Sequence, residues 1–442
     1  MSQRQAAASG SLSNTDGVYE PIIVKEKAMD RSDFLNYTAS EPMTVLIEKL
    51  YGGESLKKEA PQTLTPEEAR TDVLYLQYVF ENAYSGYTYY DKAQFDRAFE
   101  KMLLGVDLAG EISPVQLLEL IAAQLDFITD GHLSMRSGDL RKGFYRIEQT
   151  WVAELLLIGK DGAFFDAASG RKVDFKEPVR AFPTVSEGNE NAFLLGVRSK
   201  EPITDIPVTL GEKAVRLAVH KIRSAEGTCE ILHEERYDGD TAIVSCSDFG
   251  SNSREEQDAF YEIGMKCRGY SHVVWDLTNN SGGNSVYAEK FLTGLTGGVC
   301  TNQLTCSILE STLVGAKLTG EISEVDRHFV DEVSEEEKYE SIFPGRLHVI
   351  MNDRVASSGE MAVAYARMVP GVTFYGCNTM GVGRYGDVLI YYLPNSKILL
   401  MCPYKVFDIG ARETIGFEPD YWIDSDDVLA AVLKKLKGEG RK

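Results

Sequence analysis

The stretch Leu347-His348-Val349-Ile350-Met351-Asn352-Asp353-Arg354-Val355-Ala356-Ser357-Ser358-Gly359-Glu360 constrains this chain most. A short apolar run ends in Asn-Asp, and Met361, Ala362, Val363, Ala364, Ala366 and Met368 follow Glu360 without Gly or Pro. That pattern predicts a buried strand, a polar turn and the start of a helix. It puts Ser357 at a helix N-terminus, where unpaired backbone N–H groups and the positive end of the helix dipole would stabilise negative charge developing beside it. Two readings are open at this point. Ser357 is a nucleophile, or Ser357-x-x-Glu360 is an ordinary capping box in which the hydroxyl bonds a helix N–H and does no chemistry.

The surrounding pattern favours an α/β setting. From Thr241 onward, strands expected at 242–246, 272–277 and 347–352 alternate with helices at 253–267 and 284–295, which implies an α/β core. After 372–375 the pattern becomes hairpin-like, through 388–392 and 398–401, and the chain closes with a helix started by Ser425-Asp426-Asp427. Upstream, Thr65-Pro66-Glu67-Glu68 is a strong helix start, and spacings of four (Leu74 and Tyr78, Leu76 and Phe80) carry that helix forward. Phe95, Phe99, Met102 and Leu103 mark a second helix. A third begins at Ser113-Pro114 and is expected to run out at Asp130-Gly131-His132. Between about 145 and 245 the pattern is mostly β.

The chain thus divides into an N-terminal segment, partly disordered (1–62), a helical bundle ending in Asp-Gly-His (63–135), a β-rich middle region (136–240) and an α/β domain (241–442). The fold class is α/β, α+β overall. At 442 residues there is room for two or three cores. A formal charge of −21 excludes nucleic acid and anionic membrane as partners, since polyphosphate would be repelled. No run of eighteen apolar residues is present to span a membrane. Residues 1–17 lack the apolar core of a signal peptide, so a cytoplasmic location is favoured, with export left open. Seven cysteines, none in a Cys-x-x-Cys pair, argue for buried reduced thiols and against a zinc knuckle or disulfide framework. No metal or cofactor is expected.

Four stretches together resemble the S41 serine peptidases, the family of C-terminal processing proteases and the core of tricorn protease. They are Asp276-Leu277-Thr278-Asn279-Asn280-Ser281-Gly282-Gly283 followed by a helix, Val355 to Glu360, Gly376-Cys377-Asn378-Thr379-Met380-Gly381-Val382-Gly383, and Gly416-Phe417-Glu418-Pro419-Asp420. In order and spacing they cover about 240–424, and the helical block ending in Asp-Gly-His resembles the family's N-terminal module. The resemblance implies a crotonase/ClpP-like core and a peptide or protein substrate. It puts the nucleophile at Ser357 and not Ser358. The lysine base of the processing branch falls at Val382, whose aliphatic side chain accepts no proton, so the Ser/Lys dyad is absent.

The tricorn-like branch uses a histidine held by a carboxylate. The resemblance carries those roles to His132 and Glu413, completing a Ser357–His132–Glu413 triad. The serine that precedes the tricorn histidine is here Gly131. One oxyanion N–H is implied at the Gly282-Gly283 loop, placed at Gly282, and the second at the backbone of Ser358. A valine at 282 is expected to leave the fold largely intact while weakening turnover. Lys397 and Lys405 are alternative bases. His272 and His348 read as strand residues, and His220, His233 and His328 as solvated surface. Glu418 and Asp420 read as structural, beside a turn fixed by Pro419. The 136–240 region stands where processing members insert a PDZ domain, but no convincing carboxylate-binding loop is visible in it. Two other functions compete: a catalytically inactive binding protein that keeps the fold, and a crotonase-like acyl-thioester enzyme.

Overall fold

The computed structural model describes residues 59–186, 189–224, 233–250, 253–298, 304–332 and 340–439. The expectations for 1–58 and for two of the seven cysteines, Cys229 and Cys300, lie outside them.

The first described elements are the helices Pro66–Ala83, Lys92–Ala109 and Pro114–Gln124. Thr65 and Glu68 form the anticipated reciprocal cap, and Ser113 and Gln116 form a second one. Phe80 meets Phe95 and Phe99 edge to face in the core between the first two helices. The third helix ends at Gln124, earlier than its apolar spacing suggested. Leu125 and Ile128 remain fully or nearly fully buried beyond the last turn, so the spacing reported burial rather than helix.

A six-stranded sheet runs in the order Glu234–Asp238, Thr241–Ser245, His272–Asp276, Arg346–Met351, Thr373–Gly376, Tyr421–Trp422. All its pairings are parallel except the first, which is antiparallel. Side chains alternate between its faces, so Val273, Trp275, Leu347 and Val349 pack with Phe260, Phe291 and Ala362 of the helices Arg254–Cys267, Val286–Thr296 and Ser358–Ala366. Val274, Ile350 and Tyr375 point the other way, onto Val432 and Leu436 of the helix Val428–Glu439. Apolar contacts on both faces explain why these strands read as unbroken hydrophobic runs. The helix Val286–Thr296 begins two residues later than expected: Ser285 is its N-cap, and in the turn before it Asn284 Oδ1 accepts from the Val286 N–H.

An antiparallel sheet follows the order His328–Glu332, Thr305–Glu310, Leu399–Asp408, Asp130–Ser137, Leu140–Phe144, with Tyr385–Tyr392 also paired to Leu399–Asp408. The strands at 305–310 and 328–332 and the helix Thr312–Thr319 were not foreseen. Their short polar-rich segments carry no clear period.

In the middle of the chain, seven antiparallel strands lie between Gln149 and Lys221. Five of them, Gln149–Lys160, Ala163–Asp166, Lys172–Asp174, Asp205–Leu210 and Lys213–Lys221, pair in a closed circuit around a small apolar core. The other two, Arg180–Ser186 and Asn189–Ser199, extend the sheet from Gln149–Lys160. Among the described residues this region is entirely β.

Candidate active site

Ser357 stands at the C-terminal end of a central parallel strand, where the chain turns into the helix Ser358–Ala366. Its backbone has φ 52° and ψ −121°, a left-handed conformation that costs a non-glycine residue about 1–3 kcal/mol and persists only where its surroundings enforce it. The surroundings do so with hydrogen bonds. Ala356 N–H donates to Asn280 O at 3.0 Å, Gly359 N–H to Ala356 O at 2.8 Å, and Met380 N–H to Val355 O at 2.9 Å. A side chain at Gly359 would lie 2.6 Å from Asn280 O, so only glycine lets the two turns close on each other. The capping-box reading is excluded here: the Ser357 hydroxyl makes no capping bond. Glu360, fully buried, turns instead to another loop, accepting from Thr379 Oγ1 at 2.5 Å, Gly381 N–H at 2.9 Å and Val382 N–H at 2.7 Å.

Ser357 Oγ lies 2.8 Å from His132 Nε2, across 225 residues of sequence. His132 belongs to the strand Asp130–Ser137, within a break of register: Asp130 pairs with Phe144, but pairing resumes only at Ser134 with Gly143. Such a bulge re-aims side chains beside active sites. Its amides are held by carboxylates instead. His132 N–H and Leu133 N–H both donate to Asp130 Oδ1, at 2.7 and 3.1 Å, and Gly131 N–H donates to Glu413 Oε1 at 3.3 Å. Val382 packs directly on this bulge, and a Cβ at Gly131 would come within 2.2 Å of Val382 Cγ1.

Glu413 therefore reaches the backbone next to His132, not the imidazole itself. Among the described residues, His132 Nδ1, Glu413 Oε2 and Asp130 Oδ2 are each sealed from solvent without a hydrogen-bond partner. Burial sets the charges in this region. It lowers the His132 pKa to about 4, against a small opposing pull from Asp387. It raises Asp130 to about 7 and Glu360 to about 7 against their own hydrogen bonds. Glu413 is pushed well above the usual carboxylate range by burial first, then by Asp130 and Glu360.

The segment carrying Glu413 is tied to the seven-stranded sheet. Arg198 bonds Glu418 at 2.5 Å and Ile415 O at 2.9 Å, and Arg180 bonds Glu418 at 3.0 Å. Asp420 accepts from Phe374 N–H at 2.8 Å.

The oxyanion expectation meets a complication at Gly282. Its N–H already donates to Asn280 Oδ1 at 3.0 Å. Ser358, the first residue of its helix, has an N–H with no intrahelical acceptor, and its hydroxyl donates to Gly283 O at 2.7 Å. Gly282 has φ 106°, and a Cβ there would sit 2.8 Å from both Ala356 O and Ser357 Cβ. A valine at 282 would thus push on the Ser357 turn, contrary to the expectation that the fold would take it easily.

The alternative bases are engaged elsewhere. Lys405 pairs with Asp387 at 2.8 Å, and Lys397 donates to Pro394 O at 2.5 Å. His272 Nδ1 and His348 Nε2 meet at 3.1 Å on neighbouring strands, while His220 and His328 pair with Asp424 and Glu310. Sequence reasoning missed Asp130. The available signal was a short acidic side chain two residues before the candidate base, the spacing at which Asp bonds its own downstream backbone.

A sequence model of Peptidase family S41 matches residues 240–423. No curated protein matches the chain. Among solved structures, it is similar to mature CPAF complexed with lactacystin, at 12% identity over 85% of this chain and 98% of that one, with TM-score 0.43. It is likewise similar to a putative peptidase from Parabacteroides merdae (11%, 84% and 97%, TM-score 0.44) and to the photosystem II D1 C-terminal processing protease (15%, 83% and 95%, TM-score 0.39).

Proposed function

We propose that this chain, a serine-type peptidase of family S41 by its 240–423 segment, cleaves peptide bonds through an acyl-enzyme on Ser357, with His132 as base and Glu413 as the acid that supports it. The observation that carries this reading is the 2.8 Å contact between Ser357 Oγ and His132 Nε2, made by a serine held in a strained strand-to-helix turn. Kept neutral by its burial, His132 takes the Ser357 proton as Oγ attacks the scissile carbonyl carbon. The tetrahedral intermediate collapses when His132 returns that proton to the leaving amine, giving the Ser357 ester. Water, deprotonated by the same imidazole, then hydrolyses the ester and restores the hydroxyl.

The Ser358 N–H is the first oxyanion donor in this reading. Gly282 is the second, exchanging its bond to Asn280 Oδ1 for the oxyanion. Glu413 completes the triad by rotating its carboxyl group, a soft terminal torsion, so that Oε2 accepts from His132 Nδ1. Catalytic hydrogen bonds commonly tighten in this way when substrate arrives.

Labelling with a fluorophosphonate probe tests the assignment. Wild type and Ser358→Ala are expected to label and Ser357→Ala is not. A serine adduct on any residue other than Ser357 overturns it.

A further inference from the structure

We infer that Asp130 is a positioning residue for this reaction, pinning the bulge that carries His132 and controlling whether Glu413 is ionised. The inference rests on the triad reading above. Three consecutive amides, those of Gly131, His132 and Leu133, lie in the register break between Asp130 and Ser134, and two carboxyl groups take all three: Asp130 Oδ1 the latter two, Glu413 Oε1 the first. A bulge without ladder partners would otherwise leave the His132 main chain loosely held. With Asp130 Oδ1 on its N–H at 2.7 Å, the imidazole is aimed at Ser357 from a fixed backbone.

Asp130 is fully buried and Glu413 carries a buried oxygen, and the two stand on either side of Gly131 with no cation paired to either among their recorded bonds. Two carboxyl groups that share a dry site do not ionise independently, because the first negative charge resists the second. Around Asp130 stand Tyr84, Tyr90, Tyr385 and Cys402, all neutral acids at physiological pH, and the Tyr84 hydroxyl, facing the carboxyl group as a donor, favours its charged form. Glu360 and the Arg384 backbone N–H face Glu413, and Asp387 faces His132. The carboxyl group nearest to Glu413 in effect is Asp130, followed by Glu360. Transition-state stabilisation of imidazolium needs Glu413 in its charged form. Asp130 therefore governs the lower pH boundary of activity without touching substrate.

The pH dependence of kcat/KM should be compared for wild type, Asp130→Asn and Asp130→Ala. Asparagine retains an acceptor for the two amides but carries no charge, so turnover at the optimum should stay within a few-fold of wild type while the acid limb moves to lower pH. Alanine removes the pin as well and should lower kcat about 10²-fold, the scale of a small misplacement of a catalytic group. An Asp130→Asn limb that coincides with wild type, or an Asp130→Ala enzyme of wild-type turnover, overturns the inference. Carboxyl carbon NMR of the glutamate-labelled chain, with the Glu413 signal assigned by its loss in Glu413→Gln, reads the same coupling without activity. Its midpoint should fall in Asp130→Asn, and an unmoved midpoint overturns the inference. If the wild type neither turns over peptide nor labels, the triad reading fails by itself, while the NMR midpoint still decides the role of Asp130.

Discussion

The proposed nucleophile and its proposed base are built in opposite ways. Ser357 is held by a turn whose parts come from the ends of three neighbouring parallel strands, 277–284, 351–360 and 376–382, within one sheet. His132 is aimed by a bulge in a different sheet, steadied by a carboxylate 282 residues away at Gly131 and by Asp130 beside it. One half of the site is a property of a strand-turn-helix unit that any α/β layer supports. The other exists only when two sheets and the 412–420 segment are assembled.

The comparison makes unequal demands on the two halves, and substitutions test it. Ser357→Ala should abolish probe labelling and peptide turnover while leaving the unfolding temperature near that of wild type, because the hydroxyl makes no capping bond and alanine keeps the same backbone strain. His132→Ala should lower turnover by about 10³-fold or more, as loss of a triad member does. Unchanged turnover in that variant would break the pairing of the two halves altogether. Gly282→Val should weaken both stability, by about 1–3 kcal/mol, and turnover, because a positive φ and contacts under 3 Å with Ala356 and Ser357 transmit the insult straight into the turn. Thermal unfolding separates that outcome from a purely catalytic loss.

Glu413→Gln should fall between wild type and His132→Ala in turnover, because the imidazole keeps a hydrogen-bond partner but loses the charge that stabilises its protonated form, and should flatten the profile at lower pH. The sign follows from burial. Glu413 and Asp130 have raised folded-state values, so activity that needs Glu413 charged is lost, as pH falls, at a pH above the ordinary carboxylate range, whereas His132, depressed to about 4, stays neutral there. A wild-type profile limited near the ordinary histidine value and unchanged by Glu413→Gln would assign the limb to His132 instead. The smallest effects belong to Lys397→Ala and Lys405→Ala, each expected to leave kcat/KM within a few-fold of wild type, given the partners that already hold them.

The contrast also sets what could be read from the residues. The strand-turn-helix at Ser357 was legible because its signals are contiguous: an apolar run, a polar break, a helical period. The capping alternative was settled by facts that lie outside that window, the φ of Ser357 and the retreat of Glu360 to Thr379, Gly381 and Val382. At His132 the residue type and its family context were visible, but the bulge was not, since register is a relation between strands. The third helix was drawn too long for a similar reason, because Leu125 and Ile128 are buried by neighbours rather than by a continuing turn. The five-strand circuit in the middle region closes through pairings that no single strand announces.

The contact between Gly131 and Val382 has a consequence for how such a site can change over time. With 2.2 Å between Val382 Cγ1 and the place where any β-carbon at 131 would go, the two positions are sterically exclusive. Adding a serine at 131 alone would collide, and a longer side chain at 382 would press on the same spot. Positions 131 and 382 are therefore coupled: a side chain at 131 fits only if the one at 382 shrinks or moves away, so the two should show strongly non-additive effects when exchanged together.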